Sequence, residues 1–300
     1  STDGNFSNAV LISNIYSTDG NFSNSIMITN VHATSDGHFG NTVFTGDVFV
    51  SEQIEFTNQN AVIKVPQATS SISIGYNTGD FNQSSHAIAI GNQAGQSNQN
   101  TLSVAIGDQA GQTNQNTESV AIGNKAGQTE QNGYSVAIGS LAGQSGQKSY
   151  SVAIGHQTGT FYQGSYSTAI GHLAGYSDQA NEATAIGIGC GQYGQNTYAT
   201  AVGIGAGFNA QNSGALALGY QSGYINQGSD AIAIGSYAGS SDQGDYSIAI
   251  GTNSNALDNS IVLNASGGAL HPETTNGFFV KPIKTDFGEL SNVITYNPSS

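Results

Sequence analysis

The chain has 300 residues, including 41 glycines, and its 5 basic and 19 acidic side chains give it a formal charge of −14. A chain with so few basic side chains is a poor nucleic-acid binder, because Lys or Arg is needed to neutralise the phosphates. A single cysteine excludes an internal disulfide. No apolar run reaches the length of a membrane span, so we expect no membrane insertion.

The first region, residues 1–70, carries a loose repeat. The segment STDGNFSN occurs at 1–8 and again at 17–24, and a shorter variant, SDGHFGN, occupies 35–41. Each Asp-Gly pair is a turn signal, and β-branched runs such as 26–29 follow it. We therefore predict an N-terminal region of short strands.

The second region, residues 71–259, repeats every sixteen residues without insertion or loss. A period this short, with strand-like residues inside it, is typical of a parallel β-solenoid with one coil per repeat. We therefore predict an all-β fold of twelve coils. The recurring glycines are Gly75, Gly91, Gly107, Gly123, Gly139, Gly155, Gly171, Gly187, Gly203, Gly219, Gly235 and Gly251.

The residues before each glycine alternate in size, as in the segment SVAIG at 119–123. Alternate residues of a strand point to opposite faces. We expect Val120 and Ile122 to fill the coil interior. Ser119 and Ala121 should then face a neighbouring chain, because a solvent-facing surface would not need such small residues.

Two further columns accompany the array. A second glycine lies four residues after the first, and a glutamine lies eight residues after it. Stacked identical amides can hydrogen-bond between coils about 4.8 Å apart, so a structural ladder is favoured over ligand binding. A coil this narrow buries little core alone, which favours a homo-oligomer. The ladder includes Gln99, Gln115, Gln131 and Gln147.

The third region, residues 260–300, leaves the repeat. Residues 260–264, 278–283 and 293–296 are strand candidates. Because the end of a solenoid must be covered, we predict a C-terminal β cap or collar.

A column of tyrosines is the candidate binding surface. Tyr134, Tyr150 and Tyr166 fall in successive repeats, and Tyr198 and Tyr246 share their column. An aromatic stripe on a rod could bind glycans by ring stacking. The alternatives are a packed corner ladder and a contact between chains.

Other reactive residues do not form a recognisable site. His156 and His172 stack in adjacent repeats without a further ligand column, which indicates a surface pair rather than a metal site. Cys190 replaces alanine in a small-residue column, so a buried side chain is favoured over a nucleophile. Asp178, Asp242 and Asp258 share a column, but aspartate does not recur in it from coil to coil, which disfavours calcium. We expect no cofactor, no metal and no enzymatic activity.

The repeat unit SVAIGxxAG, at 103–111, 119–127 and 135–143, resembles the head repeat of trimeric autotransporter adhesins. That resemblance implies a homotrimer of left-handed parallel β-rolls. The segments IVLNA at 261–265 and GFFVKPI at 277–283 are similar to those of fibre-like proteins of large viruses and phages. In those proteins a segment like YNPS at 296–299 often precedes a self-cleaving trimerisation chaperone.

The sequence thus predicts a structural and adhesive fibre, extracellular on a virion or a cell surface. Its expected partners are its own copies and a host-surface glycan or receptor. One alternative is the head of a bacterial trimeric autotransporter adhesin. Another is a glycan-processing tailspike, which would need clustered carboxylates in a groove.

Overall fold

The computed structural model describes residues 70–283 and, before them, six short strands. The chain divides into two compact units, Ser1–Ile63 and Lys64–Ser300. In the first unit the strands pair in parallel with partners sixteen or seventeen positions further along, such as Ile15 with Val31 and Asn21 with His38. These strands are Ile15–Ser17, Asn21–Phe22, Met27–Ile28, Val31–Ala33, His38–Phe39 and Val43–Phe44.

The second unit is a solenoid built on one long parallel sheet of fourteen strands. Through the sixteen-residue repeats each residue pairs with the one sixteen positions later, as Val120 does with Val136. The strands are Ile72–Ile74, Ile88–Ile90, Val104–Ile106, Val120–Ile122, Val136–Ile138, Val152–Ile154, Thr168–Ile170, Thr184–Ile186, Thr200–Val202, Leu216–Leu218, Ile232–Ile234, Ile248–Ile250, Ile261–Asn264 and Phe278–Lys281.

The predicted all-β parallel β-solenoid is therefore confirmed, with about thirteen coils and no helix among the described residues. The last two strands follow the sixteen-residue array, and both continue its sheet in parallel. They correspond to two of the strands predicted after residue 259. The third candidate, 293–296, lies outside the described residues.

A second row of strands runs along the other side of the coils. It consists of two three-stranded parallel sheets, and single β-bridges such as Ser145 with Phe161 connect them. Each strand ends on the recurring glutamine. The strands are Ser97–Gln99, Thr113–Gln115, Thr129–Gln131, Tyr193–Gln195, Asn209–Gln211 and Ile225–Gln227.

The interior of the coils is made of small residues, and the prediction for the two strand faces was wrong. Ala121 and its equivalents from Ala89 to Ala249 are fully buried. Val120 and Ile122 point outward and are only half-buried. A sixteen-residue coil is too narrow for two facing rows of branched side chains, so methyl groups fill it instead.

The second glycine of each repeat shows how little space the interior has. Gly127 has a φ of +51°, and a Cβ there would lie 2.6 Å from Oε1 of Gln131. At the equivalent Gly143 a Cβ would also lie 3.2 Å from the Ala137 Cβ. The inward alanine, the second glycine and the glutamine of each repeat are therefore in van der Waals contact, and no larger side chain fits among them.

The first glycine of each repeat allows the coils to stack closely. Gly123 has a φ of +130°, and a Cβ there would lie 2.7 Å from the carbonyl carbon of Gly139. Backbone thus meets backbone where one coil turns over the next. A side chain at this position would both strain the turn and separate the coils.

Glutamines form a continuous hydrogen-bonded ladder through the interior. The Nε2 of Gln115 donates to Oε1 of Gln131 at 3.1 Å, and Nε2 of Gln131 donates to Oε1 of Gln147 at 3.2 Å. Nε2 of Gln131 also donates to the Val120 carbonyl oxygen at 2.8 Å. The same links run from Gln83 to Gln243. Each buried amide therefore ties two coils together and fastens the second strand row to the long sheet.

Candidate functional site

An extended feature of the described surface is the outward side of the long sheet, which we call the aliphatic face. It consists of the first and third residues of the strands between Ile72 and Leu263, which are nearly all Val, Ile, Thr or Leu. Ile154 is 36% exposed and Leu218 is 43% exposed. Contiguous apolar surface of this kind is rare on monomers and usually marks an interface.

Three of the predicted tyrosines form a tight stack on a corner of the coils. The ring centroids of Tyr134 and Tyr150 lie 4.9 Å apart with an interplanar angle of 1°. Tyr150 and Tyr166 are also 4.9 Å apart, at 3°. All three residues have a positive φ, near +60°. The structure therefore brings together Tyr134, Tyr150 and Tyr166, which we call the tyrosine stack.

The stack presents ring edges rather than ring faces. Each internal ring face covers its neighbour, so a sugar could stack only on the two outer faces. The other two predicted residues, Tyr198 and Tyr246, are exposed but stand apart, because Glu182 separates Tyr166 from Tyr198 in the same column. Glycan binding by these five tyrosines stays a prediction.

A second aromatic array lies along the other strand row, and column-by-column reading of the sequence finds only two of its members. Phe161 and Tyr193 share one column, whereas its remaining members lie one position earlier in their repeats. Counting aromatic residues in either of two adjacent columns would have shown one ring in each of five successive coils. The members of this aromatic strip are Phe161, Tyr176, Tyr193, Phe208 and Tyr224.

The rings of the aromatic strip touch in sequence. Phe161, Tyr176, Tyr193 and Phe208 meet edge to face at centroid distances of 5.4, 6.0 and 5.6 Å. Phe208 and Tyr224 are stacked at 4.8 Å. Edge-to-face pairs in this range are favourable, and each such pair covers a face of only one of its two rings.

A shallow surface cavity of about 330 Å³ adjoins the start of the strip. It is lined by Lys148, Tyr162, Asp178, Asn181 and Thr197, among others. Tyr162 directly follows Phe161 of the strip. The cavity therefore combines an aromatic wall with charged, amide and hydroxyl groups.

The structure places Cys190 inside the coil, in the alanine column. Burial raises the pKa of its thiol to about 12, and its Sγ lies 3.4 Å from the Gly187 carbonyl oxygen. A thiol with a pKa this high is not ionised at neutral pH. Cys190 therefore acts here as a small core side chain.

The remaining polar candidates lie on the surface. The exposed rings of His156 and His172 stack at 5.3 Å. The Asp242 carboxylate accepts hydrogen bonds from Asn226 and Ser241, which lower its pKa. Within residues 70–283 and the six earlier strands, no group of three or more His, Cys, Asp or Glu side chains could hold a metal ion. No helix in the same part of the chain could cross a membrane.

Comparison with known families gives a match to part of the array. A family model described as the YadA head domain repeat matches residues 147–174, 227–254 and 243–260. The array fits an adhesin-head-like β-roll repeat. No curated protein and no solved structure matches the chain. The first two matched segments contain the strand, the paired glycines and the buried glutamine that build each coil, and the third has Asn255 in place of the second glycine.

Proposed function

We propose that this chain is the rod of a homotrimeric surface fibre whose role is structural and adhesive rather than catalytic. Three copies lie parallel and bury their aliphatic faces against one another around a common axis. The observation that carries the proposal is the row of outward Val and Ile side chains along the long sheet. The match to the YadA head repeat supports the same arrangement, because YadA-type heads are trimeric.

The dimensions of the aliphatic face suit this assembly. Fourteen parallel strands at about 4.8 Å per spacing extend for about 62 Å. A closed ring of identical faces buries every copy's face equally, which is the usual symmetry of homo-oligomers. The alanine interior supplies limited hydrophobic stabilisation within one chain, so burial between chains adds to the folding free energy.

The repeat match favours a cell-surface adhesin, since YadA heads are adhesins of cell surfaces. A virion fibre is the alternative, and the segments at 261–265 and 277–283 favour it. Net charge of −14 keeps such rods soluble and limits side-by-side association.

Three measurements test the proposal. Multi-angle light scattering of the purified chain should give three copies of 30.6 kDa, about 92 kDa, and a monomer would overturn the trimer. Immunogold microscopy with an antibody to residues 71–259 should label the outside of intact cells or particles, and labelling only after lysis would overturn surface display. Incubation with oligosaccharides should give no cleavage products, whereas turnover would favour a tailspike.

A further inference from the structure

The aromatic strip is not required by the fold. The column that holds Tyr176, Phe208 and Tyr224 holds glutamine in four successive earlier coils. There the amides form their own surface ladder, in which Gln112 Nε2 donates to Gln96 Oε1 at 3.1 Å. Because the same backbone accepts amides at these positions, the change to aromatic residues needs another explanation. The four glutamines are Gln96, Gln112, Gln128 and Gln144.

The strip lies away from the aliphatic face. Its residues flank or belong to the second strand row, and the alanine and glutamine interior separates that row from the long sheet. An assembly through the aliphatic faces therefore leaves the strip open. Tyr193 is 40% exposed, and its hydroxyl accepts a hydrogen bond from Gln192 Nε2 at 3.0 Å, which holds the ring.

We propose that the aromatic strip and the adjoining cavity bind an unbranched, neutral polysaccharide that runs along the rod. This proposal rests on the adhesive role proposed above and gives it a ligand class. Sugars expose C–H faces that pack on aromatic rings and hydroxyl groups that need directional polar partners. The strip supplies the rings, and the cavity supplies the partners.

The dimensions favour a chain of sugars over a protein. The strip has one ring per coil, so its five rings extend for about 19 Å at about 4.8 Å per coil. The strip is only one ring wide. A stable protein interface needs about 800 Å² on each partner, which so narrow a strip does not offer. Because successive rings from Phe161 to Phe208 are nearly perpendicular, only alternate rings can present faces in the same direction. At about 4.8 Å per coil these lie about 9.6 Å apart, which is close to the length of a disaccharide unit, so every second sugar can meet a ring face.

The cavity holds polar groups in fixed orientations. The Ser177 hydroxyl donates to Oδ2 of Asp178 at 2.6 Å. Oδ1 of Asn181 accepts a hydrogen bond from the Ser165 backbone at 2.9 Å, so the amide presents Nδ2 as its donor. Together with the exposed Lys148 these groups offer both donors and acceptors, as sugar hydroxyls require.

Tyr162 connects the cavity to the strip. It is 65% exposed and has a φ of +55°, in a region that favours Gly and Asn. Other coils hold Asn98, Gly146 or Gly194 at this position, and the missing side chain at Gly146 leaves room for the Tyr162 ring. The turn therefore forms without an aromatic residue at this position.

The charge of the chain selects for a neutral ligand. The whole molecule carries −14, and the cavity itself contains one carboxylate and one ammonium group. An acidic polysaccharide would meet a repulsive field, whereas a neutral one would not.

The test uses the assembled protein and isothermal titration with chitohexaose, cellohexaose and xylohexaose. We expect at least one to bind, with affinity falling at least tenfold for its disaccharide, because a shorter chain meets fewer rings. The variant Tyr176→Gln/Phe208→Gln/Tyr224→Gln installs the residue of the earlier coils, and it should lose binding at least tenfold. The matched variant Tyr150→Gln, which breaks the tyrosine stack instead, should bind like the parent.

Light scattering on the same samples keeps this proposal separate from the fibre proposal. An intact trimer that binds none of the three hexasaccharides, or that binds only hyaluronan, would overturn the neutral polysaccharide site and leave the fibre standing. Full binding by the triple variant would also overturn it. A monomeric parent would instead overturn the assembly on which both proposals rest.

Discussion

Replacing a single glutamine of the buried ladder should destabilise the solenoid strongly. Gln131 is fully buried, and its amide takes part in hydrogen bonds to Gln115, Gln147 and the Val120 carbonyl oxygen. In Gln131→Ala the Oε1 of Gln147 loses its donor inside the coil, which costs about 1–3 kcal/mol. The cavity left by the shortened side chain adds to that cost. We therefore expect a loss of about 4 kcal/mol per chain.

A second variant separates volume from hydrogen bonding. Gln131→Leu keeps most of the side-chain volume but removes the donor and the acceptor, so about 2–3 kcal/mol should still be lost. Glu130→Asn is the matched control. Its residue is exposed, and asparagine occupies the same column at Asn98 and Asn114, so its effect should stay within about 0.5 kcal/mol.

The assay is urea unfolding followed by circular dichroism at one fixed protomer concentration, because association makes stability depend on concentration. The expected order of stability is wild type and Glu130→Asn highest, then Gln131→Leu, then Gln131→Ala. A Gln131→Leu variant as stable as the wild type would refute the reasoning, since the amide bonds would then contribute nothing beyond the space they fill.

Three further predictions concern an inward alanine, the first glycine of a repeat, and the cysteine in the alanine column. Ala121→Leu should overpack the coil and lower the free energy of unfolding by about 1–3 kcal/mol. Thr129→Leu, on the exposed strand, is the control and should not lower it. Equal urea unfolding midpoints for the two variants would contradict the inward position of Ala121. Gly123→Ala, whose Cβ would meet Gly139, should lower the melting temperature seen by circular dichroism, and an unchanged melting curve would argue against close stacking. At pH 8 a thiol reagent should leave Cys190 unmodified in the folded protein, because a pKa of about 12 keeps the thiol protonated. The same reagent should label Cys190 in denaturant. Rapid labelling of the native protein would contradict the burial of Cys190.

The solenoid could be predicted because its signal is redundant. Each glycine of the sixteen-residue period reports one turn, and the short β-branched run before it reports one strand. The stacking of the coils follows from the constant period, because one coil per repeat places every residue next to the residue sixteen positions later.

The orientation of each strand could not be predicted from the alternation of residues. Val120 and Ala121 alternate in the same way whether the larger residue points inward or outward. General experience places branched residues in a core, but the width of this coil reverses the choice. The buried glutamine was the available clue, because an interior that holds Gln131 together with Ala121 leaves no volume for Ile122.

The candidate site was also only partly predictable. The tyrosine stack follows from a shared column, since residues such as Tyr134 and Tyr150 sixteen positions apart must lie one coil apart. The aromatic strip depends on contacts between two columns, as between Phe161 and Tyr176, and these require the local shape of the corner. The cavity beside Tyr162 depends on how that ring lies over Gly146, which no spacing specifies.

The central claim is that copies of the chain contact one another through the outward aliphatic face. Light scattering of two double variants that introduce carboxylates tests this claim most directly. Ile122→Asp/Ile138→Asp places carboxylates on that face in adjacent coils, and Thr113→Asp/Thr129→Asp places them on the second strand row. We expect about 92 kDa for the parent and for the threonine pair, and a smaller mass for the isoleucine pair with its β-sheet circular dichroism retained. A monomeric parent, or an isoleucine pair that remains fully trimeric, would contradict the claim.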